Sequence, residues 1–310
     1  MLVSALLFSN CETIIEDDLP QPIQKIIVEG SIENGQPPIV FLSKNFAFFG
    51  ELSLQDYQQN FVQDAIVKVN VDGEQFDLNE ICYMNLDPIF QSYLLSGIGI
   101  ENTDSLASDF NFCLYAPFDP NNLFAPPSLI GEVGKSYQLN VDYEAISLTS
   151  TTTIPQLVPL DSVYMLQHPS TEQDTLYRLF CNLIDPDTLG NYYRYFTQQN
   201  ESPVFAGISS VFDDLFINGS EFYFPLDRGQ PRSANFDLIS YGYFTHQDTV
   251  KLRWCTIDKA NYDFWKTLEF SADAVGPFTS ATEVLHNIEG EGGIGIWGGY
   301  GVIEYSLIAE

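Results

Sequence analysis

Residues 65–78 read AIVKVNVDGEQFDL. Val67, Val69 and Val71 recur at every second position, with Ile66 and Lys68 between them on the other face. That period of two belongs to a strand with one side turned to a core. Asp72-Gly73 follows, a pair that accepts the left-handed backbone of a two-residue turn, and Gln75-Phe76-Asp77-Leu78 returns. The stretch is therefore a β-hairpin, and its neighbours extend the pattern. KIIVEGSI (25–32) and PPIVFLSKN (37–45) read as strands, and SLQDYQQNF (53–61) as a loop or short helix. In GKSYQLNVDYEA (134–145), Tyr137, Leu139, Val141 and Tyr143 alternate with polar residues, and SLTSTTTIP (147–155) is rich in β-branched residues. No helix is required up to this point. Short strands separated by such turns predict an Ig-like or transthyretin-like β-sandwich over residues 25–155.

Pro155 and Pro159 bracket a short linker, and a second mostly-β domain is expected over 156–310. Its strand candidates are 161–167, 176–185, 191–198, 220–226 and 249–258. In the last of these, Val250, Leu252 and Trp254 alternate with Lys251, Arg253 and Cys255. One helix is expected, capped by Asp258 and running through NYDFWKTLEF, with Tyr262, Trp265 and Leu268 on one face and Glu269 near its edge. The end, NIEGEGGIGIWGGYGVIEYSLI, reads as a Gly-rich strand, a turn and a last strand. The second domain is thus a sandwich or barrel-like unit with one packed helix.

The chain has 310 residues, with 42 acidic against 12 basic side chains and a formal charge of −30. So acidic a surface excludes nucleic acid as a partner, because phosphates need Lys and Arg, and it disfavours docking on anionic lipid. The three histidines, His168, His246 and His286, have no metal-ligand spacing, and neither HExxH nor GxSxG occurs. No metal, cofactor or catalytic residue is expected. DPDTLGN (185–191) offers Asp185 and Asp187 at calcium-loop offsets but lacks the closing Glu, and Asp213-Asp214 has the same standing. Gly290, Gly292 and Gly295 spell GxGxxG, yet a strand-like stretch follows where a dinucleotide site needs a helix. Those glycines are expected where a sheet bends or closes tightly. A second expectation for this segment is a partner-facing edge formed by Ile296, Trp297 and Tyr300. The aromatic clusters Tyr192-Tyr193-Tyr195-Phe196 and Phe222-Tyr223-Phe224 divide between core and surface by alternation.

The chain opens MLVSALLFSNCETIIEDDLP. Leu2 to Phe8 is an apolar run too short to span a bilayer, closed by Ser9-Asn10-Cys11. It resembles the signal of bacterial lipoproteins, in which the Cys is diacylated and the leader removed just before it. Asn10 and Phe8 depart from the usual residues, and the missing basic region places the expected start of the leader upstream of Met1. Residues 1–10 are thus read as signal peptide and 11–24 as a lipidated tether, whose acids resemble a surface-export signal. The remaining cysteines, Cys82, Cys113, Cys181 and Cys255, lack zinc spacing. If bridges form in an oxidising compartment, Cys82–Cys113 and Cys181–Cys255 are the within-domain pairings; the other connectivities, or four buried thiols, stay open. Asp-Ser/Thr-aliphatic triplets place hydroxyls at Ser105, Ser162, Thr175, Thr188 and Thr249. They resemble O-glycosylation triplets of exported Bacteroidetes proteins, and equally suit loop chemistry leading into a strand.

Several stretches carry a family resemblance: VEGSIENGQPPIVFLSKN, AIVKVNVDG, GKSYQLNV and TTTIPQLVPLDSV in the first half, and VFDDLFINGSEFYF, DKANYDFWKTLE and VLHNIEGEGGIGIWGGYG in the second. Over about residues 20–305 the chain resembles the four-two-four-nine domain-of-unknown-function family of Bacteroidetes outer-membrane lipoproteins. Glu289-Gly290-Glu291 adds residues before Gly292-Gly293, and Trp297 stands where Phe is common. The resemblance implies a TonB-dependent outer-membrane receptor as partner and no known activity. The expected function is a non-enzymatic accessory or substrate-capture subunit of a SusC-like transporter, lipid-anchored at the outer membrane and facing outward. The alternative is a structural subunit of a larger surface assembly, such as a secretion or motility machine.

Overall fold

The computed structural model describes residues 23–45, 60–97, 111–120, 122–170, 175–231, 237, 239–273 and 283–310. The first half contains β1 (Ile26–Glu33), β2 (Ile39–Lys44), β3 (Ile66–Val71), β4 (Glu74–Cys82), α1 (Pro88–Gly97), β5 (Cys113–Ala116), β6 (Ser136–Tyr143) and β7 (Ile146–Thr153). The second half contains β8 (Ser162–Gln167), β9 (Leu176–Ile184), β10 (Tyr192–Gln199), β11 (Phe205–Asp213), β12 (Glu221–Leu226), β13 (Phe244–Thr245), β14 (Thr249–Ile257), α2 (Lys259–Asp273) and β15 (Gly293–Ile308). The protein is mostly β and sandwich-like, as its alternating sequence predicts, and neither sheet closes into a barrel.

The hairpin at 65–78 forms as read. Val67 pairs with Leu78 and Val71 with Glu74, and the turn residues Asp72 and Gly73 take φ of 52° and 86°. The three valines are buried while Ile66 faces solvent. Strands β11-β10-β14-β15-β1-β2-β5-β4-β3-β6-β7 form one continuous sheet in that order. Opposite its first strands lies a four-stranded sheet in which β9 pairs with β8 on one edge and with β12 and β13 on the other.

β15 joins the two halves. Its first residues run parallel to β1, from Gly293 beside Ile26 to Tyr300 beside Glu33. From Tyr300 to Ile308 it runs antiparallel to β14 instead. The turn expected inside this segment is absent: one strand of 16 residues changes partners at Tyr300. The glycines permit close approaches that a side chain would block. A Cβ at Gly295, where φ is 118°, would meet the Val28 carbonyl oxygen at 2.0 Å, and one at Gly299 would meet that of Thr153 at 2.4 Å. This is how β7, at the far end of the sheet, comes back against β15, where Gly299 N–H donates to Thr152 Oγ1 at 2.7 Å.

Two principal hydrophobic cores result. The first gathers Val28, Val40, Val69, Tyr137 and Leu139 with Ile288 and Trp297 from the chain's end. The second lies between the two sheets around Leu179, Tyr193, Leu252 and Trp254. Alternation along β14 sends Val250, Leu252 and Trp254 into this core and Cys255 and Ile257 to the opposite face, under α2. α1 was not anticipated. Its sequence, PIFQSYLLSG, follows the Cys82 strand after a short turn at Tyr83–Asn85 and is apolar without helical periodicity, so packing of Leu94 against the cluster of Tyr83, Phe112, Leu114 and Ala116 accompanies it rather than a legible stripe.

Candidate functional site

β11 ends the large sheet and β12 ends the small one, so the second sandwich is open between them. The opening is a cleft of about 620 Å³, within the range of small-molecule sites. Tyr195, Phe212, Phe222 and Phe224 contribute to its walls, Tyr262 and Lys266 reach it from α2, and Phe216 stands at its mouth. Phe216 is 93 % exposed, and Leu215 next to it and Phe222 on the cleft wall are also exposed. The Tyr262 hydroxyl donates to Asp213 Oδ2 at 2.6 Å, and Lys266 Nζ donates to that hydroxyl at 2.7 Å. Burial and the Asp213 carboxylate push the Tyr262 phenol up, so it stays protonated at neutral pH. Asp227, at the other end, is paired with Arg178 at 2.5 Å. Stacking rings beside a few polar groups suit the apolar faces of a sugar or an aromatic side chain. Among the described lining residues no nucleophile lies beside a histidine base.

The mouth is held by carboxylates, with Ile217 of the same connection packed against the second core. Asp214 accepts from Gly190 N at 2.8 Å, Asn191 N at 2.9 Å and Asn191 Nδ2 at 3.1 Å, binding the connection between β11 and β12 to the one between β9 and β10. Asp185 accepts from the Tyr193 hydroxyl at 2.5 Å and from Gly219 N at 3.4 Å. Burial pushes the Asp185 carboxyl above its ordinary value, partly opposed by these bonds. Both acids are therefore spent on the chain itself. The only described side chains whose potential metal-ligand atoms converge are Glu80, Cys82 and Cys113, and the two sulfurs there are bonded to each other.

α2 walls the cleft because its attachment is strongly specified. Asp258 caps it, accepting from Asn261 N at 2.9 Å, and its other oxygen accepts from Thr152 Oγ1 at 2.6 Å and Thr153 N at 3.0 Å on β7. Glu269, expected near the edge of the apolar face, is buried. It accepts from Ser210 N at 2.9 Å and Ser210 Oγ at 2.5 Å, and lies 3.9 Å from the Arg194 guanidinium. Arg194, itself buried, sits over the Trp265 ring at 3.5 Å and donates to the Tyr300 hydroxyl at 3.1 Å. Nothing in the spacing of Arg194, Ser210 and Glu269 announces this non-local network.

The other anticipated residues fall as follows. Cys11 and Ser105 lie outside the described residues. Cys82 and Cys113, opposite each other on β4 and β5, form a disulfide. Cys181 and Cys255 do not pair; both are buried thiols, with burial pushing each up to about 12. Alternation puts them on different faces of the second unit, one in the sandwich core and one beneath α2. Thr175, Thr188 and Thr249 are exposed and Ser162 is half-buried. Asp248, ahead of Thr249, is buried and accepts from Thr245 N at 2.6 Å, the expected loop chemistry. The partner-facing edge is not formed by Ile296, Trp297 and Tyr300, which are all buried. Trp297 donates to the Tyr137 carbonyl at 2.9 Å, and Tyr300 receives from Trp265 and Arg194, so these side chains close cores. The exposed aromatic that sequence reasoning passed over, Phe216, sits inside VFDDLFINGS, where one-sided exposure of a loop ring leaves no periodic signal.

Fold and cleft together define a two-core, mostly-β protein with an open aromatic site. The chain belongs to the family described as "Domain of unknown function (DUF4249)", which it matches over residues 12–306, in agreement with its motifs. No curated protein and no solved structure matches it.

Proposed function

We propose that this protein is a non-enzymatic accessory subunit that captures substrate for, or lids, a TonB-dependent, SusC-like transporter. In this reading it is held at the outer membrane by lipid on Cys11 and faces the exterior. The observation that carries the proposal is the aromatic cleft with Phe216, the most exposed large apolar side chain among the described residues, at its mouth. A lipid tether raises the local concentration of such a surface at its receptor without any added contact. Phe216, standing almost free, also favours a second reading, in which the cleft is a permanent interface within a larger surface assembly. Exposed Thr175, Thr188 and Thr249 are the hydroxyls proposed to carry O-glycans, and a glycan-stripping treatment should then increase electrophoretic mobility.

A mild-detergent pulldown of the full-length tagged protein from its native membrane tests the assignment. A diacylated peptide beginning at Cys11, together with a stoichiometric TonB-dependent receptor, is the expected result. Acylated Cys11 with other surface proteins and no receptor would favour the structural reading. An unmodified N-terminus would remove the anchor from the proposal.

A further inference from the structure

A second apolar surface lies at the edge of the molecule where the tether enters. Strand register defines this edge. Ile26 pairs with Lys44, the last residue of β2. β2 meets β5 with Val40 opposite Tyr115, and β5 meets β4 with Cys113 opposite Cys82. Continuing one row down, Tyr83 N donates to the Phe112 carbonyl and Met84 N to Asn111 Oδ1. Met84 therefore lies on the same rim as Ile26, three strand spacings or about 14 Å along it. Asn45 fastens the arriving chain to this rim, its Oδ1 accepting from Lys25 N at 2.7 Å and its Nδ2 donating to the Ile23 carbonyl at 3.2 Å.

From this rim α1 projects. Met84 is 50 % exposed, Ile89 62 % and Phe124, which packs on Phe90 at 4.7 Å between ring centres, 78 %. The sequence from Pro88 to Ile100, PIFQSYLLSGIGI, contains no charged residue in a chain of net charge −30. An anionic partner surface is excluded by that overall charge, and a cationic one has no acidic cluster within the stretch to meet. An apolar rim whose exposed charges, Lys25 and Asp87, are of opposite sign, set beside a short tether, fits the boundary between headgroups and acyl chains. The thirteen residues from Cys11 to Ile23 reach at most about 45 Å even when extended, which keeps this rim close to the anchoring surface of that reading.

We infer that the rim formed by Ile23, Met84, Ile89 and Phe124 seats on a lipid bilayer with electrically neutral headgroups. The inference rests on the anchored reading for the direction of approach alone. Contact would fix the orientation of the first unit and hold the cleft away from the membrane: Tyr300, level with Asp213 through β14 and β10, is seven residues beyond Gly293, about 23 Å up the sheet.

The test uses the full chain with Cys11→Ser and an N-terminal histidine tag, bound to phosphatidylcholine vesicles containing a nickel-chelating lipid. Anchoring then occurs whether or not Cys11 is acylated in the cell, which the mass of the native N-terminal peptide reports separately. An environment-sensitive fluorophore is placed on Phe124→Cys and, as control, on Asp72→Cys at the hairpin turn. The natural thiols do not compete, because Cys82 and Cys113 are bridged and Cys181 and Cys255 are buried. The expected result is a blue shift and quenching by brominated acyl chains at position 124 but not at 72. Adding Met84→Asp with Ile89→Asp should lower that quenching about tenfold, both sites being exposed and the fold unaffected. A water-like, unquenched probe at position 124 overturns the inference. So does a shift that appears only when an outer-membrane protein is added, which would assign the rim to a protein partner.

Discussion

The two units treat their sheet edges differently. In the first, β7 returns against the last strand through glycine contacts, with Thr149 and Glu289 exchanging backbone hydrogen bonds, and a disulfide ties β4 to β5. In the second, β11 and β12 end side by side without pairing, and the space between them is the aromatic cleft. Closure gives one unit a sealed core that depends on shape. Incomplete closure gives the other a site, held open by buried charges that fix α2 and the mouth loops. An unsealed edge is ordinarily a liability for aggregation, so its retention beside exposed Phe216 is informative about use.

Breaking closure in the first unit should have the largest effect. Trp297→Ala removes a side chain with 0 % exposure, and a loss of about 3–5 kcal/mol in urea denaturation is expected. Removing the bridge with Cys82→Ser and Cys113→Ser frees a loop spanning 31 residues and should cost about 3–4 kcal/mol, an effect that reductant reproduces in the native protein. In the second unit, Arg194→Met strips the buried Glu269 of its counter-charge and should cost about 3 kcal/mol, with loosening of α2 visible as faster amide exchange there. Phe216→Asp should change stability by no more than about 0.5 kcal/mol, yet weaken receptor or cargo capture at least tenfold by the pulldown. If capture survives intact, the cleft is not the working surface. The smallest effect concerns pH. Asp185 has its folded pKa raised, so the folded state binds the proton more tightly than the unfolded state. Stability should therefore fall as pH rises from the ordinary carboxylate value through the raised one. Asp185→Asn should flatten that slope in melting curves.

Much of the strand content was legible because alternation is local. The 65–78 hairpin, β6, β7, β9 and β14 all follow from period-two burial, and Asp258 declared the start of α2 by its chemistry. β11 was missed because FAGISSVFD mixes polar and small residues and is bulged between Arg194 and Phe196 of its neighbour. The Gly-rich end was read correctly as a tight approach, but not as one strand serving two partners, since the pairing of Ile26 with Gly293 lies beyond any local window. Of the candidate site, the aromatic identities were visible and their assembly was not. Phe212, Phe224 and Tyr262 meet only after both sheets and α2 are in place.

The strand that completes both cores follows all the other described strands in the chain. Asn34 and Val302, 268 residues apart, are joined by hydrogen bonds through both ends of the Asn34 side chain. A polypeptide leaving the ribosome therefore cannot finish its first unit until Val302 has been added. Closing so long a span makes folding slow compared with a domain of local contacts. The same topology makes removal of β15 a lesion of both cores rather than of the second alone.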